Sequence, residues 1–178
     1  MHWKPLLQSL IKVAAKNDVR YYLNGVHIYR DGVDTVFEAT DGHMVLIVRC
    51  NIADAFPQTE RLLFTRNSIE SAIKLGAGPI EFDGGSWQCA GVKLEKIDGR
   101  FPDAERALNI GSKGVAIEKG VAIDLQVKMS QAISILMKGF GSKFMSVKVT
   151  QTSADAPFIT HGGEGVMTFK CGLMPVRI

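Results

Sequence analysis

The sequence has 178 residues, of which 46% are hydrophobic and 22% are charged, and its formal net charge is +3. This balance is that of a globular protein with a real core, and the charge is too small for a basic nucleic-acid-binding tail. Cys50, Cys89 and Cys171 are odd in number and lack Cys-x-x-Cys spacing, which argues against a disulfide framework and a zinc site.

The hydrophobic runs are short. The longest, around Val45, has about five residues, whereas a membrane span needs about 20. Polar residues such as Lys4 and Lys12 interrupt any signal-peptide core in residues 1–16. We therefore expect a cytoplasmic protein with reduced thiols.

The first predicted element is a helix within residues 2–16. Pro5 suits the first turn of a helix, where a missing backbone N–H is tolerated. The apolar residues that share one face of this helix are Leu6, Leu7, Leu10, Ile11 and Ala14.

Residues 18–50 predict an antiparallel meander. Its turns are predicted at Asn24-Gly25 and at Arg30-Asp31-Gly32, because these residues supply the positive φ angles of tight hairpins. A polar turn at residues 40–43 follows, and its side chains are expected at a sheet edge. The predicted strands lie at 19–23, 26–29, 36–39 and 44–48.

A second helix is predicted after a short strand at 62–64. Thr65 or Asn67 suits its N-cap, and Gly76 and Gly78 suit its end. Its apolar face carries Ile69, Ala72 and Ile73. Three further strands are predicted at 80–82, 87–89 and 92–97.

A third helix ends at Gly139. Its apolar face carries Met129, Ile133, Leu136 and Met137, and strands are predicted around it at 122–126, 144–150, 158–160 and 167–173. The helices recur at roughly 60-residue spacing, which predicts a repeated strand, helix, three-strand unit. We name the units A (1–55), B (56–108) and C (115–178).

No catalytic constellation is evident, and we expect no enzyme activity, no cofactor and no metal site. Asp41 and His43 lack a third group that orients the histidine, which favours local hydrogen bonding in the turn. Residues 97–103 are interpreted as a turn that packs an aromatic side chain against the core. The glycines at 83–85 and 162–165 lack the Lys-Ser/Thr of a phosphate loop and are interpreted as hairpin turns.

Three motifs stand out along the chain: RYYLNG with ATDGH (20–25 and 39–43), IDGRFPD (97–103) and LMPVRI (173–178). They resemble, in the same order, signatures of the bacterial sliding clamp family, the beta subunit of DNA polymerase III. The resemblance implies an α+β DNA-clamp fold with antiparallel sheets outside and helices inside. It further implies a middle clamp domain at 1–108, a linker at 109–120 and half of the last domain at 121–178.

The resemblance also implies a groove for short peptide motifs of DNA polymerase and other clamp-binding proteins. Apolar residues form its floor, and His43 and the arginines orient the peptide at its rim. The implied groove residues are Leu23, Thr40, Gly42, His43, Val45, Pro102, Arg106, Met174, Pro175, Val176 and Arg177. The alternative interpretation of residues 174–178 is a final core strand.

Basic residues on the helices are expected to attract duplex DNA without reading its sequence. They are Lys4, Lys12, Lys16, Arg66, Lys74, Lys128, Lys138 and Lys143. The alternative is an ordinary solvated lysine face. Two functions stay open: a processivity factor that encircles DNA and is loaded by a clamp loader, or a non-encircling module that recruits or sequesters clamp-binding proteins.

The odd number of units predicts self-association. The resemblance implies that in a clamp the other half of the last domain covers the apolar helix face of unit C, which here includes Ile133 and Met137. We therefore expect a second copy of unit C to cover this face in a homodimer, and two dimers to close a tetrameric ring.

Overall fold

The computed structural model describes residues 2–52, 56–109, 115–116, 127–139, 148–151, 158–164 and 167–173. The α-helices in these ranges are α1 (Trp3–Val13), α2 (Arg66–Lys74), α3 (Ala104–Asn109) and α4 (Val127–Gly139). The strands are β1 (Gly25–Asp31), β2 (Asp34–Thr40), β3 (Met44–Cys50), β4 (Arg61–Thr65), β5 (Ile80–Asp83), β6 (Ser86–Cys89), β7 (Val92–Lys93), β8 (Val115–Ala116), β9 (Lys148–Gln151), β10 (Phe158–Glu164) and β11 (Met167–Leu173). The fold is α+β, as predicted.

The strands form two antiparallel sheets. One has eight strands in the order β4-β1-β2-β3-β11-β10-β9-β8, and the other has three in the order β5-β6-β7. Strand β3 of unit A pairs with β11 of unit C over seven residues, from Met44 opposite Leu173 to Cys50 opposite Met167. Units A and C therefore share one continuous sheet.

Both faces of the eight-stranded sheet carry buried residues. Because side chains alternate along a strand, Ile28 and Phe37 point to the side of the helices, whereas Tyr29 and Val36 point to the opposite side. The inner layer consists of α1, α2 and α4, and the outer side is covered by Phe101 and by α3. The three longer helices thus lie on one side of the eight-stranded sheet, as the clamp resemblance implies, whereas the short α3 lies on the other side.

Helix α4 packs along α1 of the same chain. Met129, Ala132 and Leu136 of α4 are completely buried, and a side chain at Gly139 would collide with Pro5. The expectation that the apolar face of α4 needs a second copy is therefore wrong, since α1 covers it. Ile133 is 8% exposed and Met137 is partly buried against the same core.

The predicted strand at 19–23 is also wrong. Val19 is exposed, and residues Tyr21–Leu23 form a 3-10 turn. Asn24 has a φ of −80° and closes a loop instead of a hairpin: its Oδ1 accepts from the N–H of Asp18 and its Nδ2 donates to the Asp18 carbonyl, at 2.9 and 2.8 Å. The next turn is confirmed, because Gly32 between β1 and β2 has a φ of +62°.

Unit B contributes α2 and the small sheet. Thr65 caps α2, as its Oγ1 accepts from the N–H of Ser68. Only the beginning of the predicted strand at 92–97 is regular, as β7. Its continuation runs beside β4, where the N–H of Ile97 donates to the Leu63 carbonyl at 2.7 Å and the N–H of Thr65 donates to the Glu95 carbonyl at 2.8 Å.

The predicted strand at 122–126 lies outside the described residues. The same holds for most of the expected linker at 109–120, of which the structure describes Asn109 at the end of α3 and the short strand β8. In the part of the chain that is described, no helix has the length and apolar character needed to span a bilayer.

Candidate functional site

The turn at residues 40–43 is held by its own side chains. The Thr40 hydroxyl donates to the Met44 carbonyl at 2.7 Å and accepts from the N–H of Gly42 at 3.1 Å. Oδ1 of Asp41 accepts from the N–H groups of His43 and Met44 at 3.0 and 2.8 Å. Gly42 has a φ of +89°, a conformation that favours glycine. The local hydrogen-bonding role predicted for Asp41 is confirmed.

A lysine from unit C fixes this turn in space. Nζ of Lys128, on α4, donates to Oδ2 of Asp41 and to the Val13 carbonyl, the latter at 3.4 Å. Burial alone would raise the pKa of Asp41, but the hydrogen bonds from Lys128, Met44 and His43 outweigh it, so this pKa lies below its ordinary value. Asp41 is therefore an ionised structural link between the turn and α4.

A cavity of about 260 Å³ opens beside the turn. We call it the groove cavity. Half of the described residues that line it are predicted groove residues, namely Leu23, Thr40, Gly42, Val45 and Pro102. The other lining residues are Arg20, Tyr22, Asp103, Ala104 and Ala107. The structure thus brings together the first two signature motifs around one cavity, although they are about 60 residues apart in sequence.

Two of the predicted groove residues that the structure describes, His43 and Arg106, are not part of this lining. His43 is exposed at the tip of the turn, and Arg106 is exposed on α3. The N–H of Arg106 donates to Oδ1 of Asp103 at 2.9 Å, which caps that helix. Met174, Pro175, Val176 and Arg177 lie outside the described residues.

Helix α3 shapes one wall of the groove cavity. Ala104 and Ala107 face the cavity, and Leu108 is buried against the outer side of the sheet. A side chain at Gly172 on β11 would collide with Leu108. Glycine at this position therefore lets α3 lie close to the sheet.

The predicted DNA-binding residues fall into two groups. Lys4, Lys12, Lys16, Lys74 and Lys138 are exposed, and none of them forms an ion pair with another described residue. Arg66 and Lys128 are held by intramolecular bonds instead. The Arg66 guanidinium donates to the Ile11 and Ala14 carbonyls at 2.7 and 2.8 Å. Lys143 lies outside the described residues.

The cysteines and the metal-ligating residues show no reactive arrangement in the described ranges. Cys50, Cys89 and Cys171 are free and buried. Burial raises the pKa of Cys50 and that of Cys171 to about 12, so both thiols stay protonated at neutral pH. Among the described residues, no group of three or more His, Cys, Asp or Glu side chains is arranged to hold a metal ion.

Comparison with known proteins connects this geometry to one family. No protein-family model matches the sequence. The beta sliding clamp of Escherichia coli K12 is 30% identical over 113 residues, which cover 59% of this chain and 31% of that protein. The beta sliding clamp of Proteus mirabilis is 27% identical over 173 residues, which cover 90% of this chain and 45% of that protein. The chain is a relative of the bacterial beta sliding clamps.

Solved sliding-clamp structures agree with this relationship at the level of the fold. The DNA polymerase III beta subunit of Pseudomonas aeruginosa has a TM-score of 0.66 and 18% identity, covering 98% of this chain and 63% of that one. The beta subunit of Borrelia burgdorferi, in complex with a natural product, has a TM-score of 0.66 and 12% identity over 98% of this chain and 60% of that one. The clamp relative therefore has the sliding-clamp fold. It spans less than half the length of the curated relatives above.

Sequence reasoning missed part of the groove wall in this clamp relative. Arg20 and Tyr22 line the cavity and belong to the same motif, RYYLNG, as the predicted Leu23, and this shared motif was the available signal for them. Helix α3 has only six residues, which is too short for a periodic apolar pattern. The spacing of Ala104 and Ala107, three positions apart, was the available signal.

Proposed function

We propose that this chain is a non-catalytic accessory protein of DNA replication that holds short peptide motifs of replication proteins in the groove cavity. The observation that supports this proposal is the meeting of two clamp signature motifs around one cavity beside a rigid turn. Its partners are then DNA polymerase and other proteins that carry a clamp-binding motif.

The composition of the groove cavity suits a peptide with apolar anchors. Leu23, Val45 and Pro102 provide apolar surface, and the guanidinium of Arg20 and the ring of Tyr22 lie at the cavity as well. At about 260 Å³ the cavity is smaller than pockets that enclose drug-sized ligands, so it suits one or two anchoring side chains. The turn is already held by hydrogen bonds, which reduces the entropy lost on binding.

The test is a titration of a labelled peptide that contains Gln followed by aliphatic and aromatic anchors. We expect micromolar affinity, about −7 to −9 kcal/mol. Ala107→Phe adds a ring to the cavity wall and is expected to weaken binding at least tenfold. Ser71→Phe adds the same ring to the exposed side of α2 and serves as the matched control. Equal affinity of the two variants contradicts binding in the groove cavity.

A removal of residues 174–178 tests the third signature motif separately. If these residues line the groove, as the resemblance implies, the shortened chain loses affinity while its unfolding transition is unchanged. If they form only a core strand, the shortened chain loses stability. An unchanged affinity together with unchanged stability removes them from the groove.

The non-encircling module is the second candidate function, and one observation favours it. Because α1 covers the apolar face of α4, the chain needs no second copy to bury that face. The exposed lysines still allow contact with DNA. Retention on a nicked circular DNA that is lost after linearisation supports an encircling ring, whereas a monomer by light scattering that binds the peptide supports the module.

A further inference from the structure

A second cavity, of about 530 Å³, lies on the outer side of the eight-stranded sheet. We call it the outer cleft. Strands β1, β2 and β4 form its floor, and the chain segment at 97–105 forms its wall. Pro102, Asp103 and Ala104 line both the outer cleft and the groove cavity. These three residues therefore form a wall that the two cavities share.

The floor of the outer cleft contains a buried acid whose side chain is already hydrogen-bonded within the protein. Nδ1 of His27 and Oε2 of Glu38 are 2.8 Å apart, and their side chains are 7% and 4% exposed. The Tyr29 hydroxyl donates to Oε1 of Glu38 at 3.2 Å. The His27 ring stacks on Phe101 with 4.9 Å between ring centroids. Both oxygens of Glu38 therefore have partners inside the protein.

The acids at the wall of the outer cleft are also engaged. Oδ1 of Asp103 accepts from the backbone N–H of Arg106 at 2.9 Å. Glu105 accepts from Arg49 at 2.9 Å and from Lys170 at 3.4 Å. Each carboxylate that lines the outer cleft thus has a donor within the chain.

Two guanidinium groups at the outer cleft, in contrast, have no carboxylate partner among the described residues. Arg61 lies over the Tyr29 ring, with its Cζ 4.4 Å from the ring centroid, and Arg100 is exposed on the wall. Neither of them forms an ion pair with a carboxylate in the described part of the chain. The charged side chains that line the outer cleft and have no hydrogen-bond or ion-pair partner among the described residues are therefore these two arginines. A guanidinium group binds carboxylates through paired N–H groups.

We propose that the outer cleft is an acidic-residue subsite of the groove, in which Arg61 and Arg100 bind the carboxylate of a Glu or Asp that flanks the anchors of the bound peptide. This inference rests on the proposed function, because the peptide must first occupy the groove cavity. An extended chain advances about 3.4 Å per residue, so an acidic residue two to four positions beyond the anchors reaches about 7 to 14 Å, across the shared wall. The subsite selects peptides by charge, whereas the groove cavity selects them by apolar anchors.

The test compares labelled peptides that share one core of Gln and apolar anchors. One pair carries Glu-Glu or Gln-Gln two to four positions before the core, and a second pair carries them after it. We expect one of the two Glu-Glu peptides to bind about fivefold to twentyfold more tightly than its Gln-Gln counterpart at low salt, with the difference reduced at high salt.

Arg61→Gln with Arg100→Gln is expected to abolish this difference without changing the affinity of the core peptide. Both side chains are exposed, and an unchanged urea midpoint verifies that the variant is folded. Lys74→Gln with Lys138→Gln makes the same change in net charge on the helices and is expected to keep the preference. A preference that survives in the arginine variant, or that is lost equally in the lysine variant, refutes the subsite.

The outcomes also separate this inference from the proposed function. A core peptide that binds with equal affinity whether it carries Glu-Glu or Gln-Gln refutes the subsite and leaves the groove in place. A core peptide that binds no form of the protein refutes the proposed function and the subsite together.

Discussion

Arg66 joins units A and B by capping α1, and its replacement should destabilise the fold. Nη1 of Arg66 donates to the Ile11 and Ala14 carbonyls at 2.7 and 2.8 Å, and its Nε donates to Glu70 at 2.7 Å. The last carbonyls of a helix have no partner within the helix, and a cation near them also interacts favourably with the helix dipole. Arg66→Met removes these donors while keeping much of the aliphatic stem.

The expected loss follows from the two carbonyl bonds. A hydrogen bond to a charged group contributes about 1.5 to 3 kcal/mol, so two of them set an upper range of about 3 to 6 kcal/mol. The Arg66 side chain is 18% exposed, and water can reach part of the helix end once the side chain is removed. We therefore expect Arg66→Met to lower the free energy of unfolding by about 2 to 3 kcal/mol. Arg66→Lys keeps the positive charge but not the planar guanidinium with its several N–H donors, and we expect about half of that loss.

The measurement is urea unfolding followed by far-UV circular dichroism. Lys74→Met is the matched control, because Lys74 is exposed on the same helix, and its expected effect is below about 0.5 kcal/mol. An Arg66→Met protein within 0.5 kcal/mol of the wild type contradicts the capping role. If Arg66→Met instead weakens DNA retention more than Lys74→Met at equal folded fraction, the guanidinium faces DNA.

Three further predictions concern the turn, helix α3 and helix α4. Asp41→Asn keeps an acceptor for the turn but removes the ion pair with Lys128, and should cost about 1 to 2 kcal/mol in urea unfolding. The folded pKa of Asp41 lies below its ordinary value of 3.8, so the difference in unfolding free energy between wild type and Asp41→Asn should be complete well above pH 4 and should disappear as the pH falls below 3.8. A difference that stays constant from pH 7 to pH 3 contradicts the ion pair. Gly172→Val should lower the free energy of unfolding by about 1 to 3 kcal/mol, and adding Leu108→Ala should restore part of that loss. Additive effects of the two substitutions in this double-mutant cycle contradict the contact between residue 172 and Leu108. Leu136→Ala should lower the free energy of unfolding by about 2 to 5 kcal/mol, measured at a protein concentration at which light scattering verifies a monomer. A loss below 1 kcal/mol contradicts the packing of α4 on α1.

Local features of the sequence were sufficient for several elements. The apolar face of α1 and the Thr65 cap of α2 were predictable because each depends on residues within two helical turns. The Gly32 turn was predictable for the same reason. The motifs at 20–25, 39–43 and 97–103 also supplied most of the predicted residues that line the groove cavity, since the family resemblance carries long-range information that periodicity lacks.

The strand predicted at 19–23 shows how a local signal fails. Its residues have high β propensity, and Asn24-Gly25 is a common hairpin turn. The side chain of Asn24 instead bonds both backbone groups of Asp18, and the resulting loop is paired with none of the described strands. Propensity describes what a segment favours alone, whereas these two hydrogen bonds decide what it does here.

By itself, the sequence determined the α+β class, the helix faces and the clamp relationship of this chain, because each depends on patterns that neighbouring residues or whole motifs carry. Only the tertiary structure decided what covers α4, since its partner α1 is more than 110 residues away and an apolar face does not specify its partner. Only the tertiary structure likewise decided which charged groups of the outer cleft have partners. Glu38 pairs with His27 and Glu105 pairs with Arg49, so neither acid is paired with Arg61 or Arg100. These contacts form only when the strands and helices pack together.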